Sequence, residues 1–439
     1  MPRDRVPQPA RACAAEGLCV RQTGFGTPSM SLSRFPLAGR RIVFLQGPSS
    51  PFFRDVATAC ARLGAEVLRV GFAPGDRLYW ASGCGRYIAY RGSAERFGAV
   101  LADLIRGENL TDLVMLGDGR EYHANAVSAA KVAGGITPWV IEQGYLRPGL
   151  ISVEPWGTGG RSAIPARFAA TTDTRPDLPV PEPAPGSFLR YAAFDVAYHL
   201  ANVLFGPVFY PRYRHYALDS PWAEWRGWIL KALRAPARAR QTEAALARIA
   251  AHAGPVFLVP LQLDTDFQIR DHGTGRTQEQ DLAAVMASFA VHAPSDALLA
   301  VKEHPLDNGL RRWDRRAERL AREAGIDDRV AVFPGGRVEA LFPALAGIVT
   351  INSTVGLSAL LEGVPVKVLG RAVYDLPGLT ARAGLDAFWT APERPDPAEA
   401  DRFRRFLRHD YHVPGAFDGP DAQRGAEALA RFIAGERPQ

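Results

Sequence analysis

"RIVFLQGPSSPFFRDVATACARLGAEVLRVGF", residues 41–72, begins with an apolar run (RIVFLQ, 41–46) and crosses a Gly-Pro-Ser-Ser turn. A helical pattern from Phe52 to Leu63 follows, and then a second apolar run, AEVLRVGF. Strand, helix and strand in that order form a βαβ unit, whose strands run parallel. The alternation continues downstream, where TDLVMLG (111–117) and TPWVIE (137–142) flank the helical YHANAVSAAKVAG. The expectation is a parallel, doubly wound sheet over residues 36–186, ending in the Pro-rich linker RPDLPVPEPAPG (175–186).

Working outward, residues 187–248 form an aromatic, Arg-rich helical stretch. A second βαβ series then occupies 249–375: PVFLVPLQL, a helix at 277–292, ALLAVKEHP, a helix at 309–324, RVAVFPG, GIVTINS, a helix at 354–362 and VPVKVLG. The remaining segment, 376–439, carries helices at 397–407 and 421–435 that are candidates to cross back onto the first half. The fold class is therefore α/β, with two Rossmann-like domains facing a cleft and a helical insertion between them; this is a GT-B-like architecture. Ligands in such sheets sit outside the carboxyl ends of the strands.

At 439 residues the chain is too long for one ordinary core. Its formal charge is +6, and almost all of its basicity is arginine, because the only lysines are Lys131, Lys231, Lys302 and Lys367. An Arg- and Ala-rich bias is discounted as a sign of nucleic-acid binding, and it suits anionic ligands or an anionic membrane surface. Cys13, Cys19, Cys60 and Cys84 lack metal spacing and read as reduced cytosolic thiols. No apolar run reaches the ~18 residues of a membrane span. Residues 1–35 read as a disordered tail, and Met30 is an alternative start to Met1.

The strand ends supply the candidate site. Lys302 and His304, in VKEHP, follow a strand; a Lys-x-His pair in a loop is unremarkable alone. Asn352, Ser353, Thr354 and Gly356 lie where a strand turns into a helix, whose free N–H groups form an anion site. A plain N-cap would use the same residues. Glu362, eight residues on, is a position for a ribose that no cap demands, so the set favours a nucleotide. In the first half, Gln46 and Gly47 open an anion-cradle turn that lacks G-x-G-x-x-G spacing. Asp118, Arg120, His123, Glu142, Tyr145 and Arg147 gather at neighbouring strand ends. Each alone reads as structural; their clustering is the signal.

PLQLDTDFQIRDH (260–272) places Asp264, Asp266 and Asp271 just after a buried strand. The pattern fits a D-x-D metal site, a carboxylate nucleophile or a polar loop. A D-x-D metal serves a diphosphate leaving group, whose charge a divalent cation neutralises.

Taken in order, FLQGPSSPFFRDVATACARLGAEVLRVGFAPGDRLYW, EQGYLRPGLISVE, PLQLDTDFQIRDH, KEHP and NSTVGLSALLEGVPVKVLG resemble the capsule-polysaccharide biosynthesis and export family over roughly Arg41 to Leu379. That resemblance implies a retaining β-Kdo transferase using CMP-Kdo, of the starter type that places the first β-Kdo on a phosphatidylglycerol or lysophosphatidylglycerol acceptor. It implies Asp266 as the nucleophile within a Gln262-to-Asp266 pattern, Gln268 beside it and no metal, since CMP is a monophosphate. Phe267-Gln268 departs from the small residue and Ser common in the family. Implied partners are the inner face of the cytoplasmic membrane, where the protein would sit peripherally, and capsule assembly and export proteins; nucleic acid is not among them. The rival readings are a linker-extending β-Kdo transferase, a non-catalytic export component and, more remotely, a sugar-nucleotide epimerase.

Overall fold

The computed structural model describes residues 35–437 apart from 81, 82, 84, 173, 180, 181, 183, 185, 216–218, 265 and 266. The expected tail therefore lies outside the described residues up to position 34, as do Cys13, Cys19, Cys84 and Asp266. Among the described residues, twelve strands form two sheets. The first comprises β1 (Arg41–Phe44), β2 (Glu66–Gly71), β3 (Arg86–Ala89), β4 (Asp112–Leu116), β5 (Thr137–Gln143), β6 (Leu150–Pro155) and β12 (His412–Pro414). The second comprises β7 (Val256–Pro260), β8 (Leu298–Lys302), β9 (Val330–Phe333), β10 (Leu345–Thr350) and β11 (Val366–Val368).

The second sheet has the order β11-β10-β7-β8-β9 and is parallel throughout. Every residue of β7 and β8 is buried, as continuous apolar strands covered on both faces must be. The first sheet has the order β12-β6-β5-β4-β1-β2-β3. It corrects the all-parallel expectation, because β6 pairs antiparallel with both β5 and β12. The reason is local: the turn 144–149 is too short for a crossover, so the chain folds straight back as a hairpin.

The C-terminal segment does cross back. β12 adds to the first sheet, and the helix Ala422–Ile433 buries Leu429, Ala430 and Ile433 with Phe52, Val56 and Ile151 in one core. The helix Pro397–Asp410 instead packs Phe403, Phe406 and Leu407 into the core of the second sheet, together with Tyr145, Ile164 and Phe168 from the first half. Arg175 and Asp177, in the expected linker, pair with Asp410 and Arg408 of that helix.

Between the sheets stand the helices Phe188–Phe209, Pro221–Leu233 and Ala235–Ala250. The first two start at Ser187 and Ser220, whose hydroxyls accept backbone N–H groups of Arg190 and Ala223. Phe188–Phe209 corrects the reading that no apolar segment is long enough for a span. By length and composition Leu189–Phe209 qualifies, with only 11% of its apolar window buried. Arg190, Asp195 and His199 interrupt the run in sequence, yet they are too few to offset its apolar residues.

Candidate functional site

The carboxyl ends of the two sheets face each other across a cleft bridged by the helical pair. Phe188–Phe209 belongs to the first half. Its Tyr198 hydroxyl donates to Asp76 at 3.0 Å, and its Asn202 accepts the Gly75 amide at 2.7 Å. Pro221–Leu233 belongs to the second half, where Lys231 Nζ donates to the carbonyls of Pro305 and Asp307 at 2.7 and 2.6 Å. A cavity of about 790 Å³ lies between them, lined by Arg120 and Glu142, by both helices, and by Asp264, Phe267 and Arg311.

On the first half, buried Gln46 donates to the hydroxyls of Tyr198 and Tyr213 at 2.7 and 3.1 Å and accepts from Arg120 at 2.9 Å. Gly47 is required for packing, since a Cβ there would sit 2.6 Å from the Phe53 ring. Thr158 Oγ1 lies 3.1 Å from carboxylate oxygens of both Asp118 and Glu142. Arg161 then crosses the cleft, pairing with Asp118 at 3.2 Å and Asp271 at 2.9 Å.

Two expected members of this cluster do not reach the cleft. His123 is fully buried, its Nδ1 against the carbonyls of Leu116 and Gly117. Burial, with the Arg120 charge next, pushes its pKa down to about 3, so the ring is neutral. Tyr145 lies in the core; its hydroxyl donates to Glu154 at 2.5 Å, while its backbone N–H donates to His412 Nε2 at 3.0 Å. Burial pushes Glu154 up to about 7, against hydrogen bonds from Ser162 and Tyr145. Position after a strand does not say which way a side chain turns.

On the second half, Gln262 and Asn352 form a reciprocal pair, Nε2 to Oδ1 at 2.8 Å and backbone N–H to Oε1 at 3.3 Å. Asn352 also donates to the His272 carbonyl at 3.3 Å. Ser353 caps the helix Thr354–Leu361 by accepting the Val355 amide at 3.2 Å. A Cβ at Gly356 would meet the Tyr374 hydroxyl at 2.5 Å, so this glycine is a packing requirement. Lys302 is buried at the end of β8, and burial holds its pKa below the usual lysine value. Burial pushes His304 down to about 4, helped by Lys302, by Lys231 and by Arg147 from across the cleft. The expected imidazole is thus neutral, in a cationic setting.

Glu362 stands apart from the turn residues. It is exposed at the far end of the helix Thr354–Leu361, roughly 12 Å from the helix start. Ser358, one turn after Thr354 and half-buried, is the polar side chain nearer that start. Its small hydroxyl gave no sequence signal.

Of the three aspartates, Asp264 pairs with Arg311 at 2.9 Å and accepts from Gln278 at 3.2 Å, and Asp271 pairs with Arg161. Asp264 and Asp271 thus tie elements together. Asp266 lies outside the described residues, and nothing is stated of the Gln268 side chain. Phe267, the departure from the family pattern, closes against the first half: a Cβ at Gly119 would be 2.6 Å from it. Sequence reasoning also missed His199 and His215, whose rings stack at 5.2 Å in the cavity wall. They lie on the helical insertion rather than at a strand end.

Residues 111–417 match the family model described as capsule polysaccharide biosynthesis protein. Among curated relatives, the capsule polysaccharide export protein KpsS of Escherichia coli is 35% identical over 84% of this chain and 95% of its own length. The capsule polysaccharide modification protein LipB of Neisseria meningitidis serogroup B is 30% identical over 87% and 92%. Among solved structures, the KpsC β-Kdo 2,7 transferase of Thermosulfurimonas dismutans aligns at a TM-score of 0.43 and 13% identity, covering 90% of this chain and all of that one.

Proposed function

Because the chain belongs to the capsule polysaccharide biosynthesis family, we propose that it is a retaining β-Kdo glycosyltransferase that moves Kdo from CMP-Kdo to a phosphatidylglycerol-type lipid and so starts a capsule linker. The observation that carries this reading is the division of the cleft. One wall is the strand-to-helix turn at Asn352 and Ser353, with buried Lys302 at the end of the separate strand β8. The other is a roomy cavity whose helical sides are mainly apolar, with Asp195, His199 and Glu224 among them.

In this mechanism the CMP phosphate sits at the start of the helix Thr354–Leu361, its charge offset by amide N–H groups and Lys302. The Asp266 carboxylate attacks the Kdo anomeric carbon; the bond to the CMP phosphate oxygen breaks and CMP leaves. An acceptor hydroxyl then attacks the same carbon from the opposite face and frees Asp266. Glu142, on the cavity wall, takes the hydroxyl proton. Two inversions give retention. No metal is called for, and Asp264, one half of D-x-D, is already paired with Arg311.

The protein acts at the cytoplasmic face of the membrane as a peripheral enzyme. Phe205, Phe209 and Trp222 are exposed beside the exposed Arg212, Arg214 and Arg226, a composition suited to an anionic lipid interface. The test is incubation of purified protein with CMP-Kdo and a fluorescent lysophosphatidylglycerol, read by mass. One added Kdo with released CMP is expected; no Kdo-bearing product with any lipid or glycan acceptor overturns the reading.

A further inference from the structure

The cavity between the helical pair and the strand ends has an uneven lining. Its buried lining includes Arg120, Asp307 and Asn308, its helical lining includes Asp195, His199 and Glu224, and Tyr191, Val196 and Ile229 form an exposed wall. Those three wall residues are also 47%, 42% and 62% exposed, so the wall runs without a break onto the molecular surface. There it joins Leu189, Leu204, Val208 and Leu233, between 58% and 79% exposed. A continuous apolar face of that kind marks an interaction site. A face open to bulk water would cost free energy at every one of these side chains; a face against hydrocarbon would not. A passage leading inward from such a face to polar groups fits a ligand with a hydrocarbon tail and a polar head. The volume, about 790 Å³, is within the roughly 300–1,000 Å³ of pockets that enclose whole ligands.

We infer that this cavity takes the acyl chain of a single glycerophospholipid acceptor drawn from the bilayer, its head group turned inward toward Arg120 and Glu142. The inference rests on the reading that the acceptor is a lipid, and it adds where the chain goes. The helices are the walls of the acyl port as well as a membrane-facing surface. Each methylene that enters the cavity should then tighten binding by about fourfold at most.

The experiment needs no turnover. Lysophosphatidylglycerol with a diazirine at the chain end is irradiated with the full-length protein, below micelle-forming concentration and without CMP-Kdo; adducts are mapped by mass spectrometry. Adducts at Tyr191, Val196, Trp225 or Ile229 are expected. Adducts confined to Leu204, Val208 and Leu233, or none, overturn the acyl port. Filling it by Ala192→Trp or, from the other helix, Ala232→Trp should lower kcat/KM for a C16 acceptor relative to a C6 acceptor at least tenfold; an unchanged ratio in both overturns it. Cross-linking in the cavity without Kdo transfer to any acceptor would leave the port standing and sink the transferase reading.

Discussion

Two helices of this molecule are both rich in apolar residues and have opposite surroundings. Thr354–Leu361 buries Gly356, Leu357, Ala359 and Leu360 against the second sheet. Phe188–Phe209 leaves Leu189, Leu204, Val208 and Phe209 outside, and among its residues whose burial is described only Tyr198 is deeply buried. The polar groups around them differ in the same sense. Beside the buried helix, Gln262, Asn352 and Ser353 are wired to one another and to the backbone. Beside the exposed one, arginines alternate with aromatics and face outward. The polar groups beside the buried helix are held in place by hydrogen bonds, and the exposed helix leaves apolar side chains uncovered. Apolar composition alone therefore does not identify core.

The sharpest break between the regions concerns chemistry at the wired end. Asp266→Asn should reduce Kdo transfer by ~10³-fold or more while CMP binding persists, since only the nucleophile is lost. Intact mass after an early quench should show a Kdo adduct in wild type and none in the variant. Full transfer by the variant would remove Asp266 from the mechanism.

Next in size is a buried carboxylate on the dry side. Glu154 has a folded pKa of about 7 against an ordinary 4.5, because burial disfavours its charge. The folded state holds the proton more tightly, so this group's stabilisation is complete below pH 4.5 and is lost as pH rises to about 7. The unfolding free energy of wild type minus that of Glu154→Gln should fall by up to about 3 kcal/mol between acid and neutral pH. Denaturant titrations across that range check it, and a difference independent of pH would refute it.

Smaller effects test the expected nucleotide contacts one by one. Lys302→Ala should weaken CMP binding by roughly tenfold to a hundredfold, the loss of one charge-assisted hydrogen bond. Glu362→Ala, at the far exposed end of its helix, should leave calorimetric affinity unchanged. If the two behave alike, the phosphate is not at the start of Thr354–Leu361.

The smallest effect belongs to the exposed region. Replacing Arg212, Arg214 and Arg226 with Gln should each cost about 1 kcal/mol of binding to phosphatidylglycerol vesicles, and rising salt should release the wild type. Sedimentation at low and high salt reads this. Salt-independent binding would mean that the apolar face alone holds the membrane.

Much was legible because parallel strands covered on both sides must be apolar runs, and the turns after them carry the polar residues. The candidate positions are unequal, however. Gln46, Arg120, Glu142, Gln262 and Asn352 stand at the cleft or in the networks bordering it. His123, Tyr145 and Glu362 do not, although their sequence contexts are no different. β3 and β12, at the two edges of the first sheet, were not read as strands. β6 was masked by the Pro-Gly turn before it, which reads as loop.

By itself, then, the sequence determined the two βαβ series, the helical insertion between them and the strand ends at which chemistry is placed. These follow from local periodicity and turn residues, which act within a few positions of the chain. Only the tertiary structure decided that β6 runs antiparallel, that His123 and Tyr145 turn into the core, and that Arg161 spans the cleft from Asp118 to Asp271. It also decided that Phe188–Phe209 faces outward. A helix with apolar residues around most of its circumference carries no local sign of which side will be covered, because burial depends on what distant segments pack against it.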